Sequence, residues 1–79
     1  MRPLFRDIAE DLADRVLRGE FDATGVLPAE HELAADYAVA RGTVRNALEL
    51  LRDRRVLTAR AGSRWRVRTT TLGHDAGAL

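Results

Sequence analysis

The sequence lacks several residue types on which particular chemistries depend. Its 79 residues include no cysteine and no lysine, and Ser63 is the only serine. Without cysteine, neither disulfides nor thiolate metal sites can form, which fits a reducing compartment. The two histidines, His31 and His74, have no evident nucleophile or acidic partner of the kind that catalysis needs. We therefore expect no enzyme, no metal site and no cofactor.

Long hydrophobic runs are also missing. No apolar stretch approaches the ~20 residues that a membrane-spanning helix requires. The first residues lead directly into an amphipathic, charged segment, unlike a signal peptide. These features predict a cytoplasmic protein with no membrane partner. Seventy-nine residues are enough for one small domain with one core.

Acidic and basic residues are distributed unequally, although the net charge is only +1. Residues 1–36 contain four arginines and nine acidic residues, whereas residues 37–79 contain nine arginines and three acidic residues. This asymmetry indicates that the second half faces a polyanion. A GC-rich genome is the simpler explanation for the exclusive use of arginine, so that preference says nothing about individual sites.

Three segments have the periodicity of amphipathic helices. The first covers residues 4–18 and ends at Gly19, which can adopt the left-handed conformation that closes helices. The second covers residues 30–37 and follows a proline. The third covers residues 40–55. Its predicted buried face has the i, i+3, i+4, i+7 spacing: Val44, Ala47, Leu48 and Leu51.

The third predicted helix has a polar face opposite this apolar stripe. Its first two turns offer Arg41, Gly42, Thr43, Arg45 and Asn46. An arginine fork can bond guanine, an asparagine amide can bond adenine, and a helix N-terminus attracts phosphate. A solvated face is the simpler interpretation of this pattern alone. The connection between the second and third helices, Ala38-Val39-Ala40, is very short, however, and such a tight turn is typical of a DNA-binding helix-turn-helix.

After the third helix the pattern changes to the alternation of a β-hairpin. Residues 56–60 and 65–68 suit two strands joined by a turn, with Trp65 and Val67 on one side. We expect Trp65 to pack at the hairpin base; stacking on a base is the alternative. The fold class is therefore mostly α with a small β-hairpin, a winged helix-turn-helix over residues 1–68. Residues 69–79 are predicted to be a flexible tail or linker.

The order and spacing of these segments resemble the DNA-binding domain of the GntR family of bacterial transcription regulators. The resemblance covers residues 5–68. It is carried by Phe5-x-x-Ile8-Ala9-x-x-Leu12, Leu27-Pro28-Ala29-Glu30-x-Glu32-Leu33-Ala34 and Tyr37-x-Val39-Ala40-Arg41-Gly42-Thr43-Val44-Arg45-x-Ala47-Leu48-x-x-Leu51. It implies a regulator, with repression the expected outcome, that binds a palindromic double-stranded operator as a homodimer. Most family members also carry a C-terminal effector and dimerisation domain, which this chain is expected to lack, so no effector ligand is expected in it.

The resemblance also implies roles for individual residues. Arg41 and Arg45 would contact bases or flanking phosphates, Thr43 would contact phosphate, and Gly62 would bring the wing close to the minor groove. His31 is either a phosphate contact or an ordinary exposed residue. The complete set of expected DNA-contacting residues is Arg41, Gly42, Thr43, Arg45, Asn46, His31, Arg60, Gly62, Ser63, Arg64 and Arg66.

Four positions depart from the family pattern. Ala40 stands where a capping serine or threonine is usual, while Ala38, Arg55 and Arg64 stand where glycine is usual. The missing cap and a left-handed alanine would each cost roughly 1 kcal/mol. A winged helix that binds proteins instead of DNA is the main alternative, because a fold does not determine a function. The arginine-rich third helix and hairpin favour DNA.

Overall fold

A computed structural model describes residues 4–62 and 64–68, without the side chains of residues 59–61. The element order is α1 (Phe5–Leu17), α2 (Glu30–Tyr37), α3 (Arg41–Asp53), β1 (Leu57–Ala61) and β2 (Arg64–Val67). This confirms the predicted winged helix-turn-helix of three helices and a two-stranded hairpin. The tail predicted at residues 69–79 lies outside the described residues.

The first helix is capped by a carboxylate at its N-terminus and ended by a glycine. The backbone N–H of Leu4 donates to Asp7 Oδ2 at 3.1 Å, which supplies half of a capping box. After the helix, Gly19 has a φ of +82°, as the sequence predicts. Leu17 corrects the predicted apolar stripe, because it is 82% exposed. The stripe runs one turn further than the core beneath it.

The helix-turn-helix is formed by α2, a short turn and α3. The backbone N–H of Ala29 donates to Glu32 Oε1 at 2.9 Å and so caps α2. The turn passes through Ala38, whose φ of 56° and ψ of 47° are left-handed. An alanine in this conformation costs roughly 1 kcal/mol relative to glycine, so the core must offset that strain. Val39 is half-buried in the angle between the two helices and packs against the core.

One hydrophobic core joins the three helices to the hairpin. α3 packs against both α1 and α2, and its predicted apolar face is fully buried. Phe21 and Leu27 fold back from the loop after α1 onto this core. The largest core side chains that are almost completely buried are Trp65, Ile8, Leu12, Leu27, Leu33, Leu48, Leu51, Leu57 and Val44.

The hairpin is anchored on both edges of β2. On one edge β1 pairs antiparallel, with Leu57 opposite Val67 and a register shift before Ala59. On the other edge Val26 forms an antiparallel bridge with Arg66. The N–H of Leu27 donates to the carbonyl of Trp65, and the N–H of Val67 donates to the carbonyl of Gly25, both at 2.9 Å. The loop before α2 therefore holds the wing as a third, very short strand.

The backbone directly after α3 turns through a left-handed residue. Arg55, which follows α3, has a φ of 65°, so it adopts the backbone conformation for which the family uses glycine.

Across residues 4–62 and 64–68, no helix is both long and apolar enough to span a membrane.

Candidate nucleic-acid interface

The N-terminal half of α3 presents the predicted polar face to solvent. Arg41, Gly42 and Asn46 are exposed, and Thr43 is half-buried. Together with Arg45, three of these residues line a shallow depression: Arg41, Gly42 and Asn46. Gly42 has no neighbouring atom within 4 Å of a built Cβ, so space within the protein does not require glycine there. A small residue at this point does allow another molecule to approach the helix closely.

The N-terminus of α3 differs from those of α1 and α2. Those two helices have carboxylates that accept from their N-cap amides, whereas Ala40 provides no side-chain cap and the first turn of α3 contains no acidic residue. The positive end of the helix dipole is thus left without local compensation. Such an end attracts anions, and phosphate is the anion that a nucleic acid would bring.

Arg45 forms a hydrogen bond with a buried carboxylate, that of Glu30. Its Nη2 donates to Glu30 Oε1 at 2.8 Å, while Arg41 Nη2 lies 3.9 Å from the same oxygen. The side chain of Glu30 is completely buried, and those of Arg45 and Arg41 are 42% and 59% exposed. Glu30 Oε2 accepts from the indole N–H of Trp65 at 3.0 Å. One carboxylate of α2 thus contacts both α3 and β2.

The contact with Glu30 stabilises the protonated form of Arg45. The hydrogen bond to Glu30 and then its negative charge raise the pKa of Arg45 above its ordinary value. Arginine is already protonated at physiological pH, so the consequence is positional. Nη2 is directed toward Glu30 and Nε is also buried, while 42% of the side chain remains exposed.

The wing adds exposed arginines to the same region. Arg64 and Arg66 are exposed on β2, alternating with the buried Trp65 and Val67 as predicted. Gly62, at the hairpin turn, is exposed and has a φ of +66°. Two other predicted contacts lie outside what the structure describes: the side chain of Arg60 and all of Ser63.

Trp65 packs at the wing base, which confirms that interpretation over base stacking. Only 2% of the residue is exposed, and the guanidinium carbon of Arg52 lies 5.8 Å from its ring centroid.

His31 is exposed on the first turn of α2, beside Glu30 in sequence. The structure therefore places His31 on the helix that supports Arg45.

Sequence reasoning missed Glu30 as a site residue. Glu30 shares one face of α2 with the buried Leu33 and Ala34, and a carboxylate at that spacing was the available signal. An acidic residue is almost never fully buried unless it is paired, so its position alone predicted a buried partner. Both partners are distant in sequence, and nothing in the local pattern identified them. No group of three or more potential metal ligands occurs within residues 4–62 and 64–68.

Comparisons with known proteins agree with this geometry. Residues 4–67 match the family described as bacterial regulatory proteins, gntR family. The mannosyl-D-glycerate transport/metabolism system repressor MngR of Escherichia coli is 34% identical over 74 residues, which cover 94% of this chain and 31% of MngR. The transcriptional repressor NanR of Klebsiella aerogenes is 39% identical over 71 residues, covering 84% of this chain and 27% of NanR.

A third relative is the transcriptional regulator TreR of Bacillus subtilis, which is 45% identical over 47 residues, or 60% of this chain and 20% of TreR. The chain thus spans less than a third of the length of each of these relatives. No solved structure matches it. The family match covers most of the chain, and it agrees with the helix-turn-helix, the wing and the arginine-rich face. The chain therefore belongs to the gntR family of bacterial regulatory proteins, which are DNA-binding transcription regulators and not enzymes.

Proposed function

We propose that the chain binds double-stranded DNA sequence-specifically and represses transcription, with α3 in the major groove and the wing at the neighbouring minor groove. One observation carries this proposal. Within the described part of the chain, six arginines of α3, the wing and the segments beside them form no ion pair: Arg52, Arg54, Arg55, Arg64, Arg66 and Arg68. Uncompensated arginines on the elements that meet a duplex are the electrostatic pattern of a DNA-binding domain.

The contacts divide into base readers and phosphate contacts. Arg41, Arg45 and Asn46 carry the donors and acceptors that distinguish base pairs in the major groove. Thr43 and the uncapped N-terminus of α3 suit phosphate. The remaining proposed phosphate or minor-groove contacts are His31, Arg60, Gly62, Ser63, Arg64 and Arg66. Repression is supported by two relatives, MngR and NanR, which are named as repressors.

We further propose that two copies bind one palindromic operator, one copy on each half-site. A single recognition helix reads only a few base pairs, so useful specificity needs two. The domain would then comprise residues 1–68, with residues 69–79 as a tail or linker, and no effector ligand is proposed for this chain. A protein with a chromosomal DNA partner would act in the bacterial cytoplasm, at the nucleoid.

A salt titration tests the proposal directly. Binding to fragmented genomic DNA is measured over a range of salt concentrations, and the retained fragments are sequenced. If each copy neutralises about four phosphates, the slope of log K against log salt is near −4 per copy. A flat response with no enriched sequence would contradict DNA binding and favour a protein-binding winged helix.

The stoichiometry is tested separately. On an enriched full site, sedimentation should show two chains per duplex and cooperative binding, with much weaker binding to one half-site. Without DNA, the chain should sediment mainly as a monomer at micromolar concentration. A tight dimer in the absence of DNA, or a single chain bound with full affinity to a half-site, would contradict pairing on DNA.

A further inference from the structure

Glu30 is the only charged side chain in the core of the described chain. Both of its oxygens accept hydrogen bonds across element boundaries: Oε1 from Arg45 of α3 and Oε2 from the indole N–H of Trp65 in β2. A buried carboxylate is costly to desolvate, and apolar packing can often replace a buried ion pair without loss of stability. Stability alone therefore does not account for an acid at this position.

We propose that Glu30 is a specificity-determining positioning residue, which aims Arg45 at the bases and restrains it from binding phosphates indiscriminately. It does not contact DNA itself, since its side chain is completely buried. The inference rests on the proposed DNA binding and adds to it. It concerns how one arginine distinguishes bases from backbone.

The first argument is preorganisation. A free arginine samples many rotamers and loses that freedom when it forms a fork on a base. Here Nη2 of Arg45 is already anchored at 2.8 Å, and its Nε is buried without a hydrogen-bond partner in the described chain. Much of the ordering is therefore complete before DNA arrives. The donors that remain exposed point from a fixed position, and a bidentate base contact requires such a fixed position.

The second argument is electrostatic. The same carboxylate oxygen lies near both Arg45 and Arg41, at 2.8 and 3.9 Å. One negative charge shared by two guanidinium groups weakens their attraction to any phosphate, whatever the sequence. Glu30 thus lowers non-specific affinity and leaves the directional base contact in place. Specificity is the difference between these two affinities, and a feature that weakens the competing mode increases it.

The third argument concerns the wing. Trp65 donates to Glu30, and Arg52 of α3 lies over its ring at 5.8 Å. A continuous series of contacts therefore runs from Arg45 through Glu30 and Trp65 to Arg52. Within this series, a change in the position of Arg45 is transmitted to the base of the wing. Trp65 is the only tryptophan, so a single indole signal reports on the network.

The first experiment compares Glu30→Gln with the wild-type chain. The probes are a duplex that the wild-type chain selects from a randomised library and a scrambled duplex of the same composition. Glutamine preserves the shape and removes the charge. We expect Glu30→Gln to bind the scrambled duplex more tightly, with a salt slope steeper by about one. The ratio of selected to scrambled affinity should fall by about tenfold, the usual scale of one lost base contact.

Asp36→Asn is the matched control. Asp36 is exposed on the same helix and forms no ion pair within the described residues, so its replacement removes an equal charge without touching Arg45. Its selected-to-scrambled ratio should stay at the wild-type value. An unchanged ratio in Glu30→Gln would overturn the proposal even though the wild-type chain discriminates. A wild-type chain that binds neither duplex would instead refute the proposed DNA binding.

A double-mutant cycle tests whether Glu30 acts through Arg45. If it does, Glu30→Gln causes a much smaller loss of discrimination once Arg45 is alanine, because interacting residues are non-additive and only the longer contact with Arg41 remains. Independent, additive losses would show that Glu30 acts by another route and would overturn the proposal.

A measurement without DNA keeps the inference testable if Glu30→Gln folds poorly. Arg45→Ala leaves Glu30 its hydrogen bond from Trp65 and the Arg41 contact at 3.9 Å, and a circular-dichroism melt establishes that the variant is folded before it is used. Its Trp65 indole N–H resonance should shift from the wild-type position, since Glu30 loses one partner and its hydrogen bond to the indole changes. The same substitution in a folded Glu30→Gln background should cause no such shift. An indole resonance unmoved by Arg45→Ala would refute the coupling.

Discussion

The two halves of the molecule differ in where their arginines find acidic partners. In the half built from α1 and α2, Arg15 forms a bidentate contact with Glu20, with distances of 2.6 to 3.0 Å. The same arginine donates to the hydroxyl of Tyr37 at 3.1 Å, and that hydroxyl donates to Asp11. In the half built from α3 and the wing, most arginines of the described chain have no acidic partner. Within the described residues, the first half pairs one arginine with its own Glu20 and leaves Arg6 and Arg18 without an ion pair, whereas the second half has only Glu30 of α2 as an ion-pair partner.

Glu30 is where the two halves meet. It belongs to α2, yet its contacts are with α3 and β2. The comparison teaches that total charge is a poor guide to function in so small a domain. The net charge is only +1, but six of the arginines that form no ion pair within the described residues belong to α3, the wing and the segments beside them, and the ion pairs of α3 depend on an acid from α2. The predictions below test that separation.

The largest effect is expected from Leu48→Ala, which should unfold the whole domain, including both halves. Leu48 is fully buried at the centre of the apolar face of α3. Truncating a buried leucine costs about 2–5 kcal/mol, and a domain of this size has little more in reserve. A circular-dichroism melt should show a large loss of stability.

Leu17→Ala is the matched control for that truncation. Leu17 is 82% exposed on α1, so the same chemical change should alter stability by less than about 0.5 kcal/mol. A Leu48→Ala variant with a native melt but no DNA binding would mean that Leu48 is a contact residue, contrary to its position in the core.

The next effect separates base reading from general attraction within the second half. Arg45→Ala should reduce the preference for a selected duplex over a scrambled one by about tenfold, because it removes a guanidinium aimed at base edges. Arg66→Ala should weaken binding to both duplexes by the same factor and reduce the salt slope by about one. Titrations of both variants at two salt concentrations measure this. Equal, sequence-independent losses would show that Arg45 contacts only phosphate.

A pair of arginine variants compares the halves most directly. Arg15→Ala removes an arginine that is paired within the protein, so it should lower the free energy of unfolding by about 1 kcal/mol. Its DNA affinity should change less than that of Arg66→Ala, because Arg15 belongs to α1 and not to the elements proposed to meet DNA. Arg66→Ala should do the reverse, with weaker DNA binding and an unchanged melt. If both variants lost affinity equally, the separation of roles would be wrong.

The smallest effect is a pH dependence in the first half. Burial, followed by the hydrogen bond to Asp11, raises the pKa of Tyr37 from 10.0 to about 12. The folded state therefore holds this proton more tightly than the unfolded state. The resulting stability is fully present below pH 10 and is lost as the pH rises through about 12. Chemical unfolding of the wild-type chain should show that decline, and Tyr37→Phe should lack it. Equal declines in both proteins would assign it to another group.

Local patterns were sufficient to predict most of the fold. The second helix was predicted with its observed bounds, the first and third to within two residues at each end, and the alternation of Trp65 and Val67 with arginine was correct. Periodicity and glycine positions depend on near neighbours, so a single sequence contains them. Leu17 was placed wrongly because a periodic stripe does not show how far the core beneath it extends.

The contacts between distant residues were not predictable in the same way. Trp65 lies 35 residues from Glu30, and the bridge between Val26 and Arg66 spans 40 residues. Such contacts depend on how the elements pack. The sequence did indicate that α3 and the wing carry the charge, because arginine density is a local property. The way in which one of those arginines is held became visible only in three dimensions.

The bridge at Val26 also bears on how the wing opens. A two-stranded hairpin alone is marginally stable in water, and its amides would exchange with solvent through local fraying. Here the N–H of Val67 and that of Leu27 both close hydrogen bonds along the second edge of β2. Releasing them requires the segment before α2 to detach as well, and Leu27 is fully buried in the core. The slowest hydrogen exchange of the wing should therefore match that of the helices, so that the wing and the three helices open as one cooperative unit.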